Sequence, residues 1–231
     1  MDTNGGMQMP KVNWSDKTKP NYRWLVYGVP GVGKTYLSTY LKGKTYLLSL
    51  DKSYKRIPQL QGSDIWELDP DKPIEDLAEF VREFDPSQYT NLVIDNLSNL
   101  QKLWFIEMAK ESKNGLDNQL KHYNEFSNWL IRFISKAFSW NVNILVTTWE
   151  KQSQVTDPSG QIFEQYGPDL RNSARDYLMG NCDVVARLIQ KPKTGERGCI
   201  LQGSIDTYAK NRLDQRKGCK VEELFTFDDN V

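Results

Sequence analysis

The sequence has little of what a metal cluster, a disulfide framework or a membrane span would need. Its only histidine is His122, and its three cysteines stand far apart with no C-x-x-C pair among them. Neither a zinc site nor a disulfide framework is therefore indicated. The amino terminus has no apolar segment of a secretory signal, and no apolar run approaches the ~20 residues that cross a bilayer. We therefore expect a cytoplasmic protein with no membrane contact.

The chain also lacks net charge, since 30 Lys or Arg residues balance 30 Asp or Glu residues. No overall field attracts it to nucleic acid, so any nucleic-acid surface has to be local. Residues 171–220 hold 11 basic against 5 acidic side chains, and residues 61–100 hold 10 acidic against 2 basic ones. The length of 231 residues fits one domain. We expect a polar tail over residues 1–20, the domain over 21–220 and a second tail over 221–231.

What the sequence does contain is a complete phosphate-loop pattern, G-x-x-x-x-G-K-[ST], over residues 28–35. Backbone N–H groups of such a loop surround phosphates, its lysine reaches the β- and γ-phosphates, and its hydroxyl holds Mg²⁺. An apolar strand precedes the loop and a predicted helix follows it, whereas a plain glycine-rich turn would leave Lys34 and Thr35 unexplained. We predict that ATP and Mg²⁺ are bound by Gly28, Val29, Pro30, Gly31, Val32, Gly33, Lys34, Thr35 and Tyr36.

Apolar runs typical of strands alternate with helical patterns along most of the chain. Strands are predicted over residues 22–27, 44–50, 65–68, 91–94 and 142–148, and helices over 34–42, 74–84, 97–110 and about 117–138. Such alternation predicts an α/β fold with a mostly parallel sheet and helices on both faces. Two more strands, at 184–190 and 199–202, flank a charged turn and predict a C-terminal antiparallel hairpin.

The longest predicted helix carries an apolar stripe at helical spacing. Its members are Leu120, Tyr123, Phe126, Leu130, Phe133, Ile134 and Ala137. We interpret the stripe as core, although its aromatic members leave open a ladder for base stacking. His122 lies beside the stripe and is expected to be a surface or packing residue rather than a ligand.

Carboxylates at strand ends are the candidates for metal binding and catalysis. Asp95 ends the apolar strand 91–94 and is predicted to bind or orient Mg²⁺. Asn96 is either a second contact to the same water shell or a helix N-cap. To activate or position water, Asp51 at the end of one strand is the first candidate and Glu150 at the end of another is the second.

Hydroxyls and cations complete the predicted site. Thr147 or Thr148 is a candidate to sense the γ-phosphate, unless it faces the sheet core. Lys210 and Arg212 are spaced i, i+2 on an extended segment, so their side chains point the same way and can reach one phosphate together. The alternative for these two cations is an ordinary solvated basic patch.

Together these features resemble the RecA-like P-loop ATPases of the AAA type, in particular the small phage-encoded proteins of single-strand annealing recombinase type. The resemblance covers about residues 22–215 and rests on 28–35, 92–95, 147–150 and 210–212. It implies that Lys210 and Arg212 reach the ATP of a neighbouring subunit, so that the protein is a homo-oligomer, either ring or filament. Asp51 stands where the family usually has glutamate, and the shorter side chain implies slow hydrolysis.

The same resemblance implies a DNA-contacting loop over residues 151–175. Arg171 and Arg175 are the candidate nucleic-acid contacts there, with Phe163 and Tyr166 available for stacking; a merely polar surface loop is the alternative. The implied function is a DNA-stimulated ATPase acting on single-stranded DNA in recombination, annealing or replication. It would work in the host cytoplasm, with a single-strand-binding protein as a candidate partner. The alternatives are an ATP-switched helicase loader or assembly factor and, less favoured, a P-loop kinase of a small molecule.

Overall fold

The computed structural model describes residues 21–156 and 159–227, so the tail expected over 1–20 lies outside the described residues. The strands are β1 (Arg23–Gly28), β2 (Thr45–Ser49), β3 (Asp64–Glu67), β4 (Asn91–Asp95), β5 (Asn143–Thr156), β6 (Ile162–Pro168), β7 (Val184–Gln190), β8 (Arg197–Ile200), β9 (Lys210–Asn211) and β10 (Gly218–Lys220). The α-helices are α1 (Pro73–Glu83), α2 (Leu97–Ala109), α3 (Leu120–Phe138) and α4 (Asn172–Asn181). Among these residues no helix is long and apolar enough to cross a membrane.

The strands form one sheet with the order β10-β8-β7-β1-β5-β4-β2-β3. Its central part, from β7 to β3, is parallel. Strands β8 and β9 pair antiparallel with β7, β10 pairs antiparallel with β8, and β6 pairs antiparallel with β5. The predicted fold class is confirmed. Because parallel strands end at the same edge, the segments after β1, β2, β4 and β5 meet at the carboxyl edge of the sheet.

Helices cover the two faces of the sheet unequally. All four α-helices pack on one face, where Leu77, Leu100, Phe126 and Leu178 belong to a single buried cluster. The other face carries short 3₁₀ helices at Thr35–Tyr40, Ser53–Arg56, Pro58–Leu60 and Val221–Glu223, together with the last described residues. The segment that follows the phosphate loop, the 3₁₀ helix Thr35–Tyr40, packs on this second face.

The segment after the phosphate loop differs from the predicted helix over 34–42. It forms only the short 3₁₀ helix Thr35–Tyr40. The hydroxyls of Ser38 and Thr39 donate to the carbonyls three residues earlier, at 2.7 and 2.8 Å. Such local hydrogen bonds compete with the α-helical pattern, which explains why composition alone predicted too long a helix.

The apolar stripe of α3 is core from Phe126 onward, whereas Leu120 is exposed and Tyr123 is only partly buried. Phe126, which could have been a base-stacking residue, packs instead against Trp104 with ring centroids 5.3 Å apart. Leu120 is 87 % exposed because α3 begins there, three residues later than predicted, and its first turn projects beyond the core. His122 is fully buried, and its Nδ1 accepts a hydrogen bond from the backbone N–H of Gln119 at 3.3 Å. It is therefore a packing residue.

Two segments expected to be irregular are ordered parts of the fold. Strand β5 continues to Thr156 and pairs with β6, so residues 151–156 and 162–168 form the two strands of a β-hairpin rather than a loop. At the C terminus, Leu224 is buried and Phe225 contacts Trp24 with ring centroids 5.0 Å apart. The described part of the expected second tail therefore packs on β1, because its aromatic side chains cover the apolar face beside that strand.

Candidate nucleotide-binding site

The phosphate loop runs from the end of β1 into the 3₁₀ helix, with its tip exposed and its lysine turned inward. The Lys34 ammonium donates to the carbonyls of Gly28 and Val29, at 2.8 and 2.9 Å, and the side chain is only 6 % exposed. Burial lowers the pKa of Lys34, while Asp95, Asp51 and Glu150 oppose that shift. All three predicted carboxylates therefore interact electrostatically with this one cation.

Two loop glycines are required by geometry. Gly33 has φ = +105°, a conformation that side chains with a Cβ rarely adopt. A Cβ on Gly28 would lie 2.6 Å from the carbonyl oxygen of Leu188 on β7. The glycines thus allow both the turn of the loop and the close approach of the neighbouring strand, and they keep the backbone N–H groups accessible to phosphate oxygens.

Asp95 lies at the centre of a cluster of hydroxyl donors. Its Oδ2 accepts from Thr35 at 2.6 Å and from Ser53 at 3.0 Å, and its Oδ1 accepts from Thr147. Burial raises the pKa of Asp95, the nearby Asp51 carboxylate raises it further, and the three hydroxyl donors oppose both effects.

This donor set fits Mg²⁺. Hydroxyl and carboxylate oxygens are hard ligands, and Mg²⁺ is commonly held by one or two carboxylates together with substrate phosphates. Thr35 and Asp95 would hold the ion, whose positive charge would offset the cost of burying the carboxylate. In the described ranges no cluster of three or more His, Cys, Asp or Glu side chains forms a metal site by itself. Completing the coordination therefore requires water or the nucleotide.

Asp51 lies next to Asp95, just beyond the end of β2. Its carboxylate accepts from the backbone N–H of Ser53 at 3.0 Å and from the side-chain amide of Asn96. Asn96 has a second role as well, since its Oδ1 caps α2 by accepting from the N–H of Asn99 at 2.8 Å. The arrangement holds Asp51 at the carboxyl edge, where a water-activating base belongs.

Glu150 is engaged by a different partner. Its carboxylate forms an ion pair with Arg187, with Nε–Oε2 and Nη2–Oε1 distances of 3.1 and 3.4 Å. The Arg187 guanidinium lies 3.6 Å from the ring centroid of Tyr166 and donates to Thr207 at 3.2 Å. Both carboxylate oxygens of Glu150 are therefore engaged by Arg187, whereas Asp51 lies beside Asp95. The geometry thus favours Asp51 over Glu150 as the base.

The two adjacent threonines of β5 point to opposite faces of the sheet, as alternating strand residues do. Thr147 faces the phosphate loop and donates to Asp95. Thr148 is buried on the other face, where its hydroxyl has no hydrogen-bond partner among the described residues. Of the two candidates for sensing the γ-phosphate, only Thr147 lies within the site.

Comparison with known proteins decides the family. A family model described as "AAA domain" matches residues 20–213, which is most of the chain. The chain belongs to the AAA domain family. A search of curated proteins finds no match. The structure is similar to that titled "Crystal structure of the RadB recombinase", with a TM-score of 0.48, 15 % identity, and coverage of 78 % of this chain and 80 % of that one.

In this AAA domain Lys210 and Arg212 lie far from their own phosphate loop. Strand β9 pairs with the first residues of β7, level with Trp24 and Leu25, so it is near the amino end of β1. The Lys210 ammonium donates to the carbonyls of Met179 and Gly180 at 2.5 and 3.2 Å and so caps the end of α4. Arg212 is exposed. Neither cation completes the site of its own chain.

The candidate DNA contacts, Arg171 and Arg175, lie at the start of α4. Arg175 pairs with Asp176 at 3.1 Å and lines a groove of about 450 Å³ together with Lys151 and Gln165 of the hairpin. Arg171 lies over the ring of Tyr123, 4.7 Å from its centroid. The predicted stacking residue Tyr166 is instead covered by Arg187.

A cavity that adjoins the phosphate loop was not predicted. It measures about 550 Å³ and lies between the 3₁₀ helix at Thr35–Tyr40 and the hairpin of β7 and β8. Its walls include Gly33, Tyr40, Arg197 and Glu222. Sequence reasoning treated the hairpin only as a charged turn, because no local pattern shows that its side chains lie against the loop.

Proposed function

We propose that this AAA domain is an oligomeric ATPase that acts on single-stranded DNA in recombination, annealing or replication. The observation that carries the ATPase part is the meeting of Lys34, Thr35 and Asp95 at the carboxyl edge of the sheet. The AAA domain family supports the same assignment. We further propose that the protein binds DNA, forms an oligomer and works in the cytoplasm of a phage-infected host.

The residues divide the chemistry among them. Lys34 balances the phosphate charge, and Thr35 with Asp95 would hold Mg²⁺, which supplies further charge stabilisation when bound. Asp51 would accept the proton of the attacking water. Because aspartate is one carbon shorter than glutamate and is already hydrogen bonded to Ser53 and Asn96, we expect hydrolysis to be slow.

The cations remote from the loop support an oligomer. Lys210 and Arg212 lie near the amino ends of the parallel strands, and the phosphate loop lies at their carboxyl ends. The two cations would therefore face another copy if the amino-end side of one copy stacks on the carboxyl-end side of the next. In that arrangement Arg212 would approach a neighbour's γ-phosphate, and Lys210 would hold the segment in place from the end of α4. Each nucleotide would then be shared by two subunits.

DNA binding is supported by the basic C-terminal third and by the groove beside the β5–β6 hairpin. Arg175 and Lys151 contribute cations to that groove, and Arg171 lies nearby at the start of α4. Phosphate contacts of this kind bind single strands without sequence preference and weaken as salt rises. A single-strand-binding protein would be a natural partner on the same strand.

The test is ATP hydrolysis with and without single-stranded DNA at two salt concentrations, with the oligomeric state measured by light scattering in each condition. We expect stimulation that falls steeply with salt. Lys34→Ala should abolish nucleotide binding or turnover, and unchanged hydrolysis would overturn the assignment of the loop. A phosphorylated small-molecule product would instead establish a kinase.

One observation favours the second candidate function, an ATP-switched loader or assembly factor. The tip of the β5–β6 hairpin exposes Val155 and Ile162, at 40 % and 65 % of their surface. Exposed apolar side chains on a projecting hairpin suit a protein partner better than a phosphate backbone. If DNA leaves both hydrolysis and oligomeric state unchanged, this candidate replaces the first.

A further inference from the structure

The cavity beside the phosphate loop is shaped like a site for the nucleoside half of a nucleotide. Its volume of about 550 Å³ falls in the range of small-molecule sites. One wall carries Tyr36 and Tyr40, whose rings meet edge to face with centroids 5.6 Å apart. The opposite wall is the hairpin segment 195–198, so a ligand seated here would lie between aromatic side chains and backbone.

Arg197 stands where this cavity meets the phosphate loop. Its guanidinium packs against Gly33 so closely that a Cβ on that glycine would lie 2.7 Å from Nη1. Within the described part of the chain no carboxylate lies within ion-pair distance of Arg197. Lys191 of the same hairpin, in contrast, pairs with Glu196 at 2.9 Å. An unpaired guanidinium therefore lies against a loop whose pattern binds phosphate.

Glu222 lines the same cavity, as does Glu196, which pairs with Lys191. Burial raises the pKa of the Tyr40 hydroxyl, Glu222 raises it further, and Arg197 opposes this shift. Both charges thus act on Tyr40, and among the described residues no ion pair joins them.

We propose that Arg197 contacts the α-phosphate of the bound nucleotide from within the same chain, with the nucleoside seated between Tyr40 and the β7–β8 hairpin. The inference rests on the proposed nucleotide site. If Lys34 holds the β- and γ-phosphates inside the loop and the nucleoside fills the cavity, the phosphate nearest the ribose lies at the junction, beside Gly33. The five N–H donors of a guanidinium suit that position.

The experiment measures dissociation constants of ATP, ADP and tripolyphosphate with magnesium, by titration calorimetry at low salt. ATP and ADP share the α-phosphate, so Arg197→Ala should raise the dissociation constants of both nucleotides by about the same factor, roughly tenfold. Arg197→Lys should recover part of the loss because it keeps the charge. The matched control is Lys193→Ala, which removes an exposed cation of the same hairpin that does not line the cavity.

The nucleoside part of the proposal is tested separately. Tyr40→Ala should weaken the binding of ATP but leave the dissociation constant of tripolyphosphate within a factor of about two of the wild-type value. Only ATP carries a group that fills the cavity. Equal weakening of both ligands would overturn the cavity assignment.

The outcomes separate this inference from the proposed function. If the wild-type chain binds none of the three ligands, the proposed nucleotide site itself fails. If it binds ATP and Arg197→Ala binds both nucleotides as tightly, only the Arg197 contact is overturned. If Arg197→Ala loses affinity for ATP but not for ADP, the guanidinium lies at the γ-phosphate, and its assignment to the α-phosphate is overturned.

Discussion

Replacing Asp95 by asparagine should change stability in opposite directions with and without the nucleotide. The wild-type carboxylate is only 1 % exposed and lies beside Asp51, and both burial and that neighbouring charge raise the pKa of Asp95. Asparagine keeps the size of the side chain and one acceptor oxygen. Its amide can donate to the Thr35 or Ser53 hydroxyl, since hydroxyls also accept. Lys34 keeps its two carbonyl acceptors.

Without magnesium or nucleotide, we therefore expect Asp95→Asn to be more stable than the wild type at neutral pH. A carboxyl whose native pKa is raised holds its proton more tightly when folded, so the wild type loses stability as pH rises from the ordinary carboxyl pKa to the raised one. The variant lacks this loss. The difference between the two unfolding curves isolates the contribution of Asp95, and it should be smallest below the ordinary carboxyl pKa.

With MgATP the order reverses. A ligand at a concentration a hundred times its dissociation constant stabilises a protein by about 2.7 kcal/mol. If its affinity falls a hundredfold at the same concentration, the stabilisation falls to about 0.4 kcal/mol. Loss of one charged metal ligand is expected to have an effect of that order. For a chain of this size the melting temperature should rise by roughly 5–10 °C in the wild type and by about 1 °C in the variant.

The assay is thermal unfolding in EDTA from pH 4 to 8, and then with MgATP at pH 7. Asp71→Asn, a change of an exposed carboxylate before α1, serves as the control and should follow the wild type in both conditions. A variant that melts below the wild type in EDTA at pH 7 would refute the argument from burial and repulsion. An undiminished MgATP shift would refute the metal role of Asp95.

Three further predictions concern turnover and assembly. Asp51→Asn should slow hydrolysis in a single-turnover assay while ATP affinity stays within about threefold; normal turnover would shift the role of base to Glu150. Arg212→Ala should keep ATP binding but lower turnover, and mixing it with Lys34→Ala should restore part of the activity; if mixing restores nothing and the wild type is monomeric, contact between subunits is excluded. Lys210→Met should also lower stability by about 1 kcal/mol in urea unfolding, because it removes the cap of α4, whereas Arg212→Ala should leave stability unchanged.

The parts of the fold that sequence predicted well are those with a strict local pattern. Buried parallel strands are continuous apolar runs, and β4 and β7 were predicted within one residue of their observed bounds. The hairpin of β5 and β6 was missed because its few apolar residues, such as Val155 and Ile162, are scattered among polar ones. Its pairing depends on cross-strand hydrogen bonds, which leave no apolar alternation in the sequence.

The same distinction applies to the site. Lys34, Thr35 and Asp95 stand in local patterns that name their chemistry, and the structure brings these three together. Ser53 and Arg187 were not predicted, since each acts through a partner distant in sequence: Ser53 through Asp95 and Arg187 through Glu150. For Ser53 a weak signal existed, because a hydroxyl two residues beyond a strand-end carboxylate remains at the same edge of the sheet.

The length of β1 decides how Lys210 and Arg212 can take part in ATP chemistry. The N–H of Arg212 donates to the carbonyl of Asp183, and the N–H of Asp183 donates to that of Arg23, so the segment lies level with the first residue of β1. From there to Gly28 the strand advances five residues, or about 16 Å. An arginine side chain spans less than half of that distance, and the Lys210 ammonium is held at the end of α4. Contact of either cation with a phosphate in its own loop is therefore excluded by geometry, and a role in catalysis requires a second copy of the chain.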